Sequence, residues 1–512
     1  MKVIFLWVFS LLSCIDVIAQ TTKYWVYLSD KPTDEYDYRK HLSNKTIQNR
    51  LNFGLPLTQF TDIPLSPIYL QDLAKQGVGL INQSKWLNAV TAMLTVGQVE
   101  MLKNMPYIKA VLPMDRRVKI LAFRNTPLEL GSALAQIGAT TLVEKGLTGE
   151  GIDIGVIDAG FLGAKDNDYL AHLFVEKRIL GTKDLLSPNK ADFFYGRETS
   201  SDDHGNTVLQ MITGYDEQKM QYGLATKANF YLARTDHGDR EFRAEEDYWV
   251  ASMEWMDSLG VRLINTSLGY ANGFDDPKDN YQPAQMDGKT SVISQAAQIA
   301  YDQKGILLVV SAGNEGSEVD WQVVSAPADA PGVISVGAVS NSGLKAYYSS
   351  TGPENLPYLK PNVACMVQVQ AGTSFSAPVI TGLAACLMQN GPRVSSKEIF
   401  QIIERSGGLY PYGNNFIGYG TPQAAVALQL MEGDSLAYQT GKVVVKATNQ
   451  YQIKQKIDKK TNVVAFHKKN STCVLTQEII VVMKGKYVIS RKKQAVQTTV
   501  VYGKNVIEIL WQ

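Results

Sequence analysis

A chain of 512 residues, 45% hydrophobic and 19% charged, is long enough to bury a large core and to divide into two to four folding units. Fifty Lys and Arg against forty-nine Asp and Glu leave a net charge of +1, which removes any global electrostatic case for nucleic acid or for an acidic partner.

In chain order, Met1-Lys2, the apolar run Val3 to Cys14 and the small-residue site at Val17-Ile18-Ala19 read as a secretory signal peptide, residues 1–19, cleaved after Ala19. Leu11-Leu12-Ser13-Cys14 faintly suggests lipidation instead, but Ala19 fits better. No later stretch reaches the roughly 18 to 20 apolar residues that cross a bilayer. The expected location is therefore secreted or cell-envelope, with no transmembrane segment.

Residues 20–124 form a compact α+β pattern. Tyr24 to Leu28 alternates like a strand, Tyr36 to Phe53 is helix-like, and Val78 to Ile81 is a short strand. Trp86 to Leu94 is strand-like, Val96 to Met105 helical, and Ile108 to Leu112 a last strand. Basic and apolar residues mix from Arg117 to Arg124, an expected exposed junction.

Residues 125–430 alternate apolar runs with longer helical segments. Ile152 to Ile157, Phe230 to Ala233, Leu263 to Asn265, Ile306 to Val310 and Val333 to Val336 lack polar alternation, as strands covered on both faces do. Thr207 to Thr213, Ala244 to Leu259, Ser291 to Gln303 and Ser374 to Met388 are helical in pattern. The rhythm predicts an α/β fold, a mostly parallel sheet flanked by helices, with reactive groups collected at the carboxyl ends of the strands.

Residues 431–512 change style. Val443 to Val445, Val463 to Phe466, Ile479 to Met483 and Val506 to Trp511 predict a small all-β domain. It carries fourteen Lys and Arg against five Asp and Glu, a net of +9, so the rest of the chain carries −8. A solvated basic β-face is the leading reading, and docking on an anionic surface the other.

The chemistry centres on Gly372-Thr373-Ser374-Phe375-Ser376-Ala377-Pro378, which presents a hydroxyl at the start of a helix. A serine attacks a carbonyl only with a base, a group that orients the base, and donors for the oxyanion. Two of the five histidines precede glycine: His204, which leads into an apolar helical run, and His237, which sits in a charged loop. His204 is favoured as the base. Asp158 ends an apolar strand, and Asn314 sits in the turn Ser311 to Gly316 that follows another.

The order Asp158, His204, Asn314, Ser374 and the motifs around it resemble the subtilisin-like serine peptidases, the subtilases. GVIDAGF at 155–161, HGN at 204–206, NTSLGY at 265–270, SAGNEG at 311–316 and GTSFSAP at 372–378 carry the resemblance, with YSSTGP at 348–353 and KPNV at 360–363. EEDYW at 245–249 and GTSFSAP look most like exported Bacteroidetes-type members, and Ser84 to Ala89 resembles the prosegments of that group.

The resemblance implies a subtilisin-like sheet and a secreted serine endopeptidase made as a proenzyme, with residues 20–124 as a propeptide-like domain. Ser374 would be the nucleophile, His204 the general base, Asp158 its orienting carboxylate, and Asn314 the oxyanion donor. Ser267, Leu268, Gly269, Ala312 and Gly313 would line the pocket for the residue before the scissile bond, with no charge at its base and hence a broad or apolar preference. The implied partners are protein or peptide substrates, without nucleic acid, and the implied state is a monomer.

No cofactor is expected for catalysis and no metal is assigned. Structural calcium is conceivable in the insertion Asn272 to Lys289, but Asp275, Asp276 and Asp279 lack the spacing of a calcium loop. Glu241, Glu245, Glu246, Asp236 and Asp239 would either favour basic residues upstream of the cleaved bond or form a solvated acidic helix start. Three departures stand out: Asn206 in place of Thr, Asn362 in place of Asp, and a short Val363 to Gly372 segment that puts the leaving-group side in question.

Cys365, Cys386 and Cys473 are expected to be buried free thiols, although Cys365 and Cys386 could pair. The competing reading is a binding or scaffold protein on an inactive peptidase fold, which would have lost one of the four chemical positions. A lipase would show Gly-x-Ser-x-Gly, whereas Ser376 stands two residues after Ser374.

Overall fold

The structure, a computed structural model, describes residues 21–114 and 131–512 apart from 33–35, 217–219, 241–242, 368, 459 and 484. The cleavage site at Ala19, the junction 117–124 and Glu241 lie outside the described residues.

The central element is a seven-stranded parallel sheet. Its order is Val363–Met366, Val333–Val339, Leu307–Ser311, Leu263–Thr266, Asp153–Asp158, Asn229–Arg234 and Ile179–Asp184. The middle strands are buried along their whole length, which explains why their sequences are continuously apolar. Alternate residues serve two cores. Ile154 and Val156 face the side covered by helices His204–Thr213 and Ala377–Asn390, and Ile157 and Ile264 the side covered by Ala244–Leu259 and Val292–Ile299.

The N-terminal unit is a four-stranded antiparallel sheet, ordered Leu80–Ser84, Ala89–Leu94, Thr22–Leu28, Ile108–Met114. The expected single helix Tyr36 to Phe53 is two, Tyr38–His41 and Asn44–Asn52, because Ser43 caps the second by accepting the Thr46 N–H. Strand residues alternate between neighbours. Val26 and Leu28 pack with Leu73, Val99 and Leu102 on the unit's own helices, while Trp25 packs with Val292 of the central unit.

The outward face of this sheet is docked on helix Ala244–Leu259. Lys23 pairs with Asp247 at 2.6 Å, and the Thr91 hydroxyl donates to the same carboxylate at 2.8 Å. Glu254 accepts from the Ser84 hydroxyl at 2.6 Å and from the N–H groups of Lys85 and Trp86, both at 3.2 Å. A buried relay continues from Arg50 through Asp62 to Lys304, at 2.6 and 2.9 Å.

The C-terminal unit is a five-stranded sheet, ordered Lys442–Ala447, Asn505–Trp511, Gln497–Tyr502, Val463–Lys468, Val474–Ile479, with only the first pair parallel. In place of the strand expected at Ile479 to Met483, the strand is Val474–Ile479, and Ile480 keeps one backbone hydrogen bond to Val463. Val464, Phe466, Val474 and Val506 join Val339, Ala364, Leu409 and Ile417 of the central unit in one apolar cluster. Its basic excess is partly internal, since buried Lys468 pairs with Glu508 at 2.9 Å. Among the described residues, no helix is long and apolar enough to cross a membrane.

Candidate active site

Asp158 is the last residue of its strand and is fully buried. Its Oδ1 accepts the Ala159 N–H at 2.8 Å and holds His204 Nδ1 at 2.7 Å. His204 is the first residue of helix His204–Thr213, so its ring is set by the helix start and not by a loop. Close approach of that helix to the strand end depends on Gly205. A Cβ there would stand 2.6 Å from the Gly160 carbonyl oxygen and 2.9 Å from Asp158 Cβ.

The loops entering this corner are clamped by Arg234 at the end of the neighbouring strand. Its guanidinium reaches Asp184 at 3.1 Å, Glu198 at 2.7 Å and Asp202 at 3.0 Å, and its Nε donates to the Ala159 carbonyl at 3.0 Å.

Ser374 lies in the turn Thr373–Phe375, which feeds helix Ala377–Asn390, and helix His204–Thr213 packs against that turn. The His204 and Phe375 rings are 5.3 Å apart between centroids. Gly372 precedes the turn with φ of +147°, a conformation that favours glycine. The Ser374 hydroxyl donates to the Ser267 carbonyl at 3.2 Å, and Ser267 Oγ donates to the Ser374 carbonyl at 2.9 Å. Among the described residues the Ser374 hydroxyl therefore rests on Ser267 and not on His204.

Asn314 is tied to the same turn. Its Oδ1 accepts the Thr373 N–H at 2.8 Å and the Thr373 hydroxyl at 3.1 Å, which leaves Nδ2 as the donor end of the amide. Thr373 Oγ1 also accepts the Gly313 N–H at 3.1 Å. The structure thus brings Asp158, His204, Asn314 and Ser374 to one end of the sheet, with Ser267 and Gly313 bonded to the serine's turn. Leu268 and Ala312 are buried beside them in sequence, and Gly269 is exposed.

Burial alone would lower the His204 imidazolium, but the charge and hydrogen bond of Asp158, with the charges of Asp236 and Asp203, outweigh it and raise its pKa. Asp236 is itself 2% exposed, and burial pushes it up to about 6. Its carboxylate accepts the Gly238 N–H at 2.7 Å.

Motif reading missed the parts that three residues play here, Asp236 having been read only as one of the acidic run. Thr373 clips Asn314 to the serine turn, Asp236 faces the His204 charge, and Glu315 adds a carboxyl beside Gly313. Glu315 Oε2 accepts from the Asn314 N–H at 2.8 Å and lies 2.6 Å from where a side chain on Gly313 would begin. SAGNEG contains both Asn314 and Glu315, so the signal was present in the motif.

Neither expectation for the acidic run holds at Glu245, Glu246 and Asp236, while Asp239 is exposed. Glu245, Glu246 and Asp236 are buried, so they are neither a solvated helix start nor an open cationic subsite. Glu245 accepts the His237 N–H at 2.9 Å, and Glu246 accepts from the Tyr281 hydroxyl at 2.7 Å, with burial pushing the Glu246 carboxyl up to about 7. Asn362 has a structural role: Oδ1 accepts the Ser335 N–H at 2.8 Å and Nδ2 donates to Glu404 at 2.8 Å. Asn206 likewise accepts from Asn167 Nδ2 at 2.9 Å.

Cys365, Cys386 and Cys473 are unpaired and buried, and burial pushes the Cys386 thiol up to about 12, far from a nucleophile's range. Among the described residues no group of three or more His, Cys, Asp or Glu is gathered as a metal site. In the insertion, the Asp279 carbonyl accepts from Arg243 Nε at 2.8 Å.

Residues 149–420 match the subtilase family, and residues 23–126 match the peptidase S8 propeptide domain of Bacteroidota. Subtilisin E of Bacillus subtilis is 26% identical over 359 residues, spanning 67% of this chain and 83% of that protein. The thermostable alkaline protease of Halalkalibacterium halodurans is 25% identical over 355 residues, spanning 67% and 85%. A mutant of the epidermin leader peptide processing serine protease of Staphylococcus aureus shares the fold, with a TM-score of 0.57 and 14% identity over 80% of this chain and 100% of that one. With more than half its length inside the family match and a propeptide domain ahead of it, the chain belongs to the subtilase family and is a subtilisin-like serine endopeptidase.

Proposed function

We propose that the protein is an exported endopeptidase, made as a precursor, that cleaves peptide bonds through an acyl-enzyme on Ser374. Its parts are a signal peptide at 1–19, a prodomain at 20–124, a catalytic domain at 125–430 and a C-terminal domain at 431–512. The hydrogen bond of 2.7 Å between Asp158 and His204, beside the Ser374 turn, carries this reading.

With Nδ1–H donating to Asp158, the basic nitrogen of His204 is Nε2. The Ser374 hydroxyl turns from the Ser267 carbonyl, gives its proton to Nε2, and its oxygen bonds to the scissile carbonyl carbon. The resulting oxyanion accepts from Asn314 Nδ2 and from the Ser374 N–H at the helix entrance. Collapse breaks the C–N bond, and the imidazolium protonates the leaving amine. Water then attacks the acyl-enzyme with His204 again as base, which frees the acid product and Ser374.

Ser267, Leu268, Gly269, Ala312 and Gly313 line the pocket for the residue before the cleaved bond. The Glu315 carboxyl stands beside Gly313, where it accepts from the Asn314 N–H and the Ser350 hydroxyl. The substrates are proteins or peptides, and no metal takes part in the steps above.

The test is mass spectrometry of an unstructured polypeptide incubated with processed protein. Internal cleavage by the wild type and none by Ser374→Ala is expected. Equal cleavage by both, or trimming from the ends alone, would overturn the reading.

A further inference from the structure

Past Ile479 the C-terminal domain carries a run of apolar side chains into solvent. Ile479, Val481, Val482 and Met483 are 41%, 73%, 46% and 71% exposed. The run is pinned at its root, because Ile480 is buried and its N–H donates to the Val463 carbonyl at 2.7 Å. At its tip, Met483 and Lys486 exchange backbone hydrogen bonds of 2.9 and 3.0 Å, which makes a closed turn.

The surroundings are cationic. The returning strand Val488–Ser490 pairs with Gln450–Gln452, and Ile453 N–H donates to the Tyr487 carbonyl at 3.0 Å. That pairing sets Lys454 alongside Lys486, and both are exposed. Glu478, the carboxylate at the root, is held by His467 at 2.9 Å and Lys492 at 2.8 Å. The whole domain carries the net of +9 counted in its sequence.

Isolated apolar residues are ordinary on a protein surface, but a contiguous exposed run marks a contact site. Aliphatic side chains at a narrow turn beside lysines match the boundary of a lipid leaflet. The apolar groups enter the acyl region, and the ammonium groups remain among anionic headgroups. A protein groove would bury the same tip, but nothing in that arrangement calls for lysines without an acidic partner face.

We propose that Val481, Val482 and Met483, with Lys454 and Lys486, dock the C-terminal domain on an anionic lipid surface.

The test is co-sedimentation of the full chain, carrying Ser374→Ala to prevent self-cleavage, with vesicles. Phosphatidylcholine alone is compared with phosphatidylcholine containing about 30% phosphatidylglycerol. Binding to the anionic vesicles, weakened by salt, is expected. The double variant Val481→Ser, Met483→Ser should weaken it at least about tenfold. Lys454→Gln with Lys486→Gln should remove most of its salt dependence. Val319→Ser, at a 92% exposed position on the catalytic domain, should leave it unchanged. No sedimentation with anionic vesicles at low salt would overturn the proposal. So would binding that survives the Val481 and Met483 changes, or binding that falls equally with Val319→Ser.

Discussion

Asp158 and His204 meet only because neither Gly160 nor Gly205 carries a side chain, and one added methyl group tests that directly. Gly205→Ala is expected to cost about 1 to 3 kcal/mol of stability and to reduce turnover steeply, both visible in a melting curve and a peptide assay. Asp236 acts on the same pair by charge. His204 works as a base only when neutral, and its raised pKa puts the acid limb of kcat/KM above the ordinary histidine value of 6.5. Asp236→Asn removes one of the negative charges holding the imidazolium, so the limb should move to lower pH. A pH–rate profile with an unmoved or raised limb would contradict this. Asn314→Ala should lower kcat about 10² to 10³-fold with KM little changed, the size of effect that loss of one oxyanion donor has in subtilisin.

At the scale of elements, helix Ala244–Leu259 has two duties that its sequence only half declares. Its apolar periodicity and its place in the βαβ rhythm were legible. Its acidic residues were not, because the partners of Asp247 and Glu254 come from more than a hundred residues away. Lys23, Ser84 and Thr91 become their neighbours only once the N-terminal sheet lies on the helix. A separation of 59 residues likewise hid Thr373 as the clip on Asn314. The placement of Asp158, His204, Asn314 and Ser374 at one end of the sheet was legible, since each follows a strand or opens a helical turn with local signals of its own. The edge strand Ile179–Asp184 was missed because its burial is partial and its sequence mixes Gly, Thr and Lys among the apolar residues. Removing Glu254 leaves one hydroxyl and two backbone N–H groups without their acceptor. Glu254→Ala in the Ser374→Ala precursor should therefore lower stability by about 3 kcal/mol, read from a urea midpoint, with an unchanged midpoint as the contrary result.

Across the whole molecule, the seven-stranded sheet is held between two smaller β-rich units. On the N-terminal side the ionic and hydroxyl contacts of Asp247 and Glu254 stand beside apolar packing of Trp25 and Trp86, and the C-terminal domain shares an apolar cluster with the sheet's unit. Ending the chain at residue 431 would bare Val339, Ala364, Leu409 and Ile417. Such a chain should melt at least about 5 °C lower. The central claim, however, is that Ser374 is the activated nucleophile. It is tested most directly by reacting processed protein with a fluorophosphonate and mapping the adduct by peptide mass spectrometry. A single adduct on the peptide containing Ser374, lost in Ser374→Ala and strongly slowed in His204→Ala, is predicted. An adduct on another residue, or none on fully processed protein, would contradict the account.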